Sequence, residues 1–298
     1  MTIPPLIVLL GPTASGKTRL GVALAQHLNG EIISADSRQV FKGMNIGTGK
    51  DLEEYGTTPY HLIDICTPGE EFSLFQFATH YCAAFQDIHQ RNRHPILVGG
   101  TGLYLDAVIQ GYTLAEAPLN PELRARLRGK SQQELVKHLE ALNPDTHNTT
   151  DRLDPERTLR AIEIALAQAS RNCKTLRLPN VDKIILGIQW PREVLKARIT
   201  CRLKDRLANG MIEEVERLRQ QGVSWKALDS YGLEYRFIAQ YLQGELTYND
   251  LYQKLNAAIH YFAKQQEKWF RRMERKGIGI HWLNGEEDLL PQALALLD

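Results

Sequence analysis

The chain has 298 residues, 43% of them apolar, which is enough for one large core or a core carrying an insertion and excludes disorder as the default state. A formal net charge of +1 excludes a uniformly basic surface, so any nucleic-acid partner must be held by local patches. No apolar run is long enough to span a bilayer, the amino terminus lacks a secretory pattern, and four scattered cysteines suggest buried reduced thiols; a soluble cytoplasmic protein without a membrane partner is expected.

In chain order, "LIVLL" (Leu6 to Leu10) reads as a buried strand and "KTRLGVALAQHL" (Lys17 to Leu28) as a helix. "EIISAD" (Glu31 to Asp36) predicts a second strand, Phe72 to Asn92 a long helix, and "PILVGG" (Pro95 to Gly100) a third strand. Strands alternating with helices imply a parallel sheet covered on both faces. After Tyr112 the pattern becomes helical and is punctuated by Pro and Asn, with no strand signal until "KIILGIQW" (Lys183 to Trp190). Helical stretches follow near 191–221, 230–242 and 247–276, then a short terminal strand at Ile278 to Leu283. The expected fold is α/β: a P-loop parallel sheet flanked by helices, with an all-helical insertion. Residues 1–112 and 181–298 would form the core, and 113–180 the insertion.

Between the first strand and the first helix lies "GPTASGKT", a P-loop pattern in its proper context. Gly11 and Gly16 let the backbone curl, so that N–H groups along Pro12, Thr13, Ala14 and Ser15 can turn toward an anion. Lys17 adds a charge, and the Thr18 hydroxyl is a candidate magnesium ligand. Such a loop binds ATP, another nucleotide or a bare diphosphate, and its residues do not say whether a P–O or a C–O bond breaks. Asp36, placed at the end of a strand beside the P-loop strand, would face the same crevice. A small-molecule kinase could use that carboxylate as a base, and a turn-capping role is open too. "YHLIDI" (Tyr60 to Ile65) reads as an apolar strand ending in Asp64, a second candidate for magnesium.

"GPTASGKT", "ISADSRQVFKGMNIGTGK", "YHLIDI" and "GGTGLYL" (Gly99 to Leu105), with "DPERTLRAIEI" (Asp154 to Ile164) and "HYFAKQQEKWFRR" (His260 to Arg272), together resemble the tRNA dimethylallyltransferase family. The chain departs from that pattern at Gly49-Lys50-Asp51, where the family usually has Ala-Lys-Pro. It departs again at Lys264-Gln265-Gln266 and at Gly232-Leu233-Glu234-Tyr235. The resemblance implies transfer of a dimethylallyl group from dimethylallyl diphosphate to N6 of adenine 37 in the tRNA anticodon loop. The P-loop would hold the departing diphosphate with Mg2+.

The same resemblance makes Asp36 the acceptor of the N6 proton and puts Thr101 in the reaction channel. It also implies tRNA contacts from Asp36, Ser37, Arg38, Gln39, Thr101 and Arg124, and from Glu156, Arg157, Thr158, Leu159 and Arg160. A carboxylate cannot ionise a neutral exocyclic amine beforehand, but it suffices once the attacking nitrogen has become acidic. Two helical stripes, Lys264-Lys268-Arg271-Arg272-Arg275 and Arg198-Arg202-Arg206, are read either as RNA-holding faces or as solvated ones. Action as a monomer is expected. The competing functions are a P-loop small-molecule kinase, an adenylate isopentenyltransferase acting on free nucleotide, and a catalytically silent RNA-binding homologue.

Overall fold

A computed structural model of the chain describes residues 4–142, 152–170 and 173–297. These divide into two compact units, residues 1–110 with 179–298, and residues 111–178.

The larger unit is built on six parallel strands, β1 (Leu6–Leu10), β2 (Gly30–Ala35), β3 (Tyr60–His61), β4 (His94–Gly99), β7 (Lys183–Gln189) and β8 (His281–Asn284), in the order β3-β2-β4-β1-β7-β8. Every residue of β1 and β2 is buried, as expected of strands covered on both faces. The chain leaves β1 toward one edge of the sheet and leaves β4 toward the other. The crevice at the carboxyl ends of β1 and β4 is therefore the switch point, where α/β sheets bind ligands.

One consequence corrects the sequence reading. β4 lies between β1 and β2, so Asp36 is not on a neighbour of the P-loop strand. The loop after β4, which begins Gly100-Thr101, fills the gap between them. Nor is "YHLIDI" a strand as far as Asp64. β3 ends at His61, and Leu62 and Asp64 take positive φ values of 64° and 56°.

Helix α1 (Lys17–Leu28) packs Leu20, Leu24 and Ala25 with Ile7, Leu9, Ile96 and Val98 of the sheet. Helix α2 (Leu74–Gln90) starts at a capping box, in which Ser73 and Gln76 exchange hydrogen bonds; losing such a cap costs about 1 kcal/mol. It stacks Phe77 on Tyr104 of α3 (Gly102–Gln110) with ring centroids 3.9 Å apart.

The expected helical stretch near 191–221 is two helices, α7 (Arg192–Ala208) and α8 (Met211–Gln220). They break at Gly210, whose φ of 95° stops α7 at no steric cost. Helices α9 (Trp225–Ser230), α10 (Leu233–Leu242) and α11 (Tyr248–Arg275) complete a second core with the loop residues Val40, Phe41 and Met44. Helix α11 buries Leu251, Leu255, Ile259, Ala263, Gln266, Phe270 and Met273, a stripe at spacings of three and four. Gln266 is the polar member of that stripe. A short α12 (Leu289–Leu294) closes the far side of the sheet core.

The smaller unit contains α4 (Pro121–Leu127), α5 (Gln132–Leu142) and α6 (Pro155–Ala169), packed through Leu123, Leu127, Leu135, Leu139 and Ile162. Its interior is helical as expected, but its ends are not. They pair as an antiparallel ribbon, β5 (Thr113–Ala115) with β6 (Thr175–Arg177), in strands too short to show a period in sequence. The four cysteines are free; Cys66 is buried, whereas Cys201 is exposed.

Candidate active site

The P-loop leaves β1 at Gly11 and is held open from outside. Arg198 of α7 donates from Nε to the Ala14 carbonyl at 2.9 Å, and Trp190 donates from Nε1 to the Ser15 carbonyl at 2.9 Å. The Arg198 guanidinium also lies 4.2 Å from the centre of the Trp190 ring. With these carbonyls pulled outward, the N–H groups of Gly16, Lys17 and Thr18 stand at the start of α1, where a helix has no partners for them. Ala14 is held in the left-handed region, φ 62°, which costs a non-glycine residue roughly 1 kcal/mol and fits a loop shaped for an anion. The Ser15 hydroxyl is buried with no hydrogen-bond partner, a polar atom left over inside the cradle.

Two further side chains converge on the loop. Arg202 of α7 donates from Nη2 to the Thr13 hydroxyl, and Arg206, one turn on, lies 3.1 Å from Asp51. Burial, then the Arg202 charge, pulls the Lys17 ammonium down to about 8, and burial with the nearby Arg206 charge brings Arg202 to about 10. The Arg198-Arg202-Arg206 stripe is thus not a solvated face: it meets Ala14, Thr13 and Asp51. It forms a cationic wall beside the Gly11–Thr18 loop. The four-residue spacing showed that the three share a helix face, but not what that face meets.

Asp36 follows β2. Its Oδ1 accepts from the Arg38 N–H at 2.8 Å and from the Gln39 N–H at 3.4 Å, so one oxygen fixes the turn. Oδ2 makes no bond among the described residues. Thr101 stands between this turn and the P-loop. Its N–H donates to the Ala35 carbonyl at 3.2 Å, and its hydroxyl accepts from the Ser37 N–H at 3.0 Å. Gln266 of α11 ties the two halves together, its Oε1 accepting from the Thr13 N–H at 2.8 Å and its Nε2 donating to the Gly100 carbonyl at 2.9 Å. A continuous hydrogen-bonded path thus runs from Thr13 through Gln266 and the Gly100–Thr101 loop to Ser37 and Asp36.

Ser37 is half-buried and Arg38 exposed, both open to a ligand. Gln39 is not. Its amide accepts from the Ser34 hydroxyl at 2.9 Å and donates to the Gly49 carbonyl at 3.0 Å inside the protein, so it braces the loop, a role other than the expected contact with tRNA. Asp64 is likewise engaged. It takes the fully buried Lys50 ammonium at 2.5 Å, and Phe41 and Asn45 oxygens complete that lysine's shell. Asp64 is a counter-ion to Lys50, a role that accounts for the second magnesium candidate without a metal.

No group of three or more His, Cys, Asp or Glu that could hold a metal occurs among the described residues. The Thr18 hydroxyl in the first turn of α1 is free there. A magnesium ion bound through one hydroxyl, ligand phosphate oxygens and water fits that donor set, since the ion keeps several waters.

In the smaller unit, the buried Glu163 collects Arg124 at 2.7 Å and Arg160 at 3.0 Å. Burial alone would raise its carboxyl, but hydrogen bonds from Arg124, the Asn120 N–H and Arg160 hold it below the ordinary glutamate range. Arg124 also reaches the exposed Glu156 at 2.8 Å. Thr158 is fully buried, donating to the Asp154 carbonyl and accepting from Gln132, and Leu159 packs on the helical core. The Thr158 side chain is thereby turned inward, contrary to the expected RNA contact, whereas Leu159 is half-buried. Arg157 is exposed and its guanidinium has no partner among the described residues.

On α11, Lys264, Lys268, Arg271 and Arg275 are exposed, while Arg272 lies over the Trp269 ring. Trp269 itself covers Gly102, a packing role like those of Tyr81, Phe85 and Phe270.

Residues 39–273 match the family model for IPP transferase and residues 4–63 that for isopentenyl transferase. The chain is 58% identical over 285 residues to tRNA dimethylallyltransferase 2 of Syntrophotalea carbinolica, covering 96% of each chain. It is 56% identical over 292 residues to tRNA dimethylallyltransferase 1 of Geotalea uraniireducens, covering 98% of this chain and 96% of that protein.

Among solved structures, it resembles tRNA isopentenylpyrophosphate transferase of Bacillus halodurans, with 32% identity, TM-score 0.72, and coverage of 98% and 94%. It also resembles a eukaryotic dimethylallyltransferase acting on tRNA, with 25% identity, TM-score 0.77, and coverage of 95% and 74%. The Gly11–Thr18 loop and the Asp36 turn therefore sit in a chain that belongs to the tRNA dimethylallyltransferase family.

Proposed function

We propose that this protein transfers a dimethylallyl group from dimethylallyl diphosphate to N6 of adenine 37 in a tRNA anticodon loop, releasing diphosphate, as a cytoplasmic monomer. No helix among the described residues is long and apolar enough to cross a membrane, which suits that setting. The observation that carries the reading is the path from Thr13 through Gln266 and Gly100 to Thr101 and Asp36, which fixes an anion cradle and an open carboxylate oxygen in one unit.

The allylic C–O bond breaks with its electron pair leaving on the diphosphate, and the new bond joins that carbon to N6. Negative charge grows where the Gly16, Lys17 and Thr18 N–H groups, the Lys17 ammonium and Arg202 stand. Thr18 would hold magnesium, which when bound supplies further positive charge to the departing group. As nitrogen bonds to carbon its proton becomes acidic and passes to Asp36 Oδ2, while Oδ1 keeps the carboxylate oriented through Arg38 and Gln39. A loop base is unpaired at the outset, so turning it into the site costs a few kcal/mol at most.

The kinase reading would give the same cradle a phosphoryl to transfer, and the adenylate reading would offer the same carboxylate a free nucleotide. Incubation with dimethylallyl diphosphate labelled in its prenyl carbons, plus unmodified tRNA, AMP or ATP in parallel, separates the three. Label in tRNA alone is expected. Label in AMP, or phosphate transfer from ATP with unlabelled RNA, would overturn the proposal.

A further inference from the structure

Arg206 sits on a helix whose exposed face would leave an arginine in water, yet its side chain is only 12% exposed. Its guanidinium is seated by two residues of one loop. Asp51 takes Nη2 at 3.1 and 3.3 Å, and Gly49 clears the space beside it, since a Cβ at position 49 would collide with Nη2 and press on the rest of the guanidinium. Gly49 and Asp51 stand where the family pattern has Ala and Pro. A proline could not adopt the Asp51 φ of 46°, so both departures suit the placement of a single arginine.

The loop carrying them is braced by buried side chains. Glu214 accepts from the N–H groups of Asn45, Ile46 and Gly47 at 2.8 to 3.0 Å, and the buried Lys50 locks it from below. Arg206 adds a third positive charge to the one already formed by Lys17 and Arg202, near enough to depress the protonation of both. The charge of Arg206 also reaches Glu234, a half-buried carboxyl raised by burial. A cation of this kind, gathered with two others and balanced by an exposed counter-ion, suits a polyphosphate. Asp51 is 43% exposed on its side chain, and an ion pair so wetted is weak enough for a stronger anion to displace.

We propose that Arg206 is a third cation of the diphosphate site, which Asp51 holds as counter-ion and which a diphosphate takes over on binding. This rests on the reading of the P-loop as a diphosphate cradle. Asp51 then limits how tightly the product diphosphate is held and so favours its release.

The test is calorimetric titration of the full chain with magnesium pyrophosphate. The variants are Arg206→Met, Arg206→Lys, Asp51→Asn, Gly49→Ala and the Arg206→Met/Gly49→Ala pair, with melting curves to check folding. Arg206→Met should weaken binding about tenfold or more, as loss of a charge-assisted contact does, and Arg206→Lys should recover most of it. Asp51→Asn should tighten binding and strengthen product inhibition. Gly49→Ala, which also strains a backbone held at φ 64°, should weaken binding more in the wild type than in the Arg206→Met background, where the guanidinium it would meet is gone.

Pyrophosphate binding unaffected by Arg206→Met, or weakened by Asp51→Asn, overturns the inference and leaves the cradle standing. A wild type that binds no pyrophosphate overturns the cradle reading and the inference together.

Discussion

Asp36 divides its two oxygens between structure and chemistry. Oδ1 is fixed by two backbone N–H groups, and Oδ2 makes no hydrogen bond among the described residues. Replacing Asp36 by Ala should therefore lose most of the transfer rate, by about 10² to 10⁴, the usual worth of a positioned acid–base group. tRNA affinity should stay close to that of the wild type, as measured by filter binding; an unchanged rate would contradict the proton-acceptor role. Lys17 makes a second prediction. Its ammonium titrates near 8 because it is buried beside Arg202, and a bound diphosphate favours the charged form. Below that pH the lysine is already protonated and donor affinity is flat. Above it, binding must take up a proton, so affinity should fall as pH rises, by up to about tenfold per pH unit, and Lys17→Met should abolish that step. A wild-type affinity that stays level through pH 8 and above would contradict the assignment. Asp36 and Lys17 were legible because motifs place them in a known local context. Arg202 and Gln266 were not, since each acts on residues more than 160 positions away in the chain.

Among the elements, α6 shows how a motif mixes roles. Asp154 caps its first turn, Thr158 is buried, Arg160 is spent on Glu163, and Arg157 is exposed with no partner for its guanidinium among the described residues. We expect Arg157→Ala to weaken tRNA binding across sequences and to lower the slope of log affinity against log salt by about one, as loss of one phosphate contact does. Arg160→Ala should act chiefly on the stability of the smaller unit, and an unchanged salt slope for Arg157→Ala would refute its phosphate contact. The helices themselves were readable from apolar spacing, α11 nearly to its ends. Their interruptions were not, because Gly210 reads as a tolerable helical residue until its backbone conformation is known. Strands β3, β5 and β6 have two or three residues each, too few to establish alternation.

For the molecule as a whole, the parallel sheet was legible but its strand order was not. Local pattern says that β2 follows α1. It does not say that β4 will later insert between β2 and β1, since that depends on which apolar faces meet in three dimensions. The insertion is what turns Thr101 and Gln266 into the link between cradle and carboxylate. The central claim is that a diphosphate in the P-loop and the open oxygen of Asp36 address one reaction centre, and a crystal structure with diphosphate and an adenine-bearing anticodon stem-loop tests it most directly. The account predicts the anion on the Gly16, Lys17 and Thr18 N–H groups with Lys17 and Arg202 against it, and the adenine N6 within hydrogen-bonding reach of Asp36 Oδ2. An anion bound elsewhere, or an Asp36 whose free oxygen faces bulk water while the adenine docks away from it, would contradict the account.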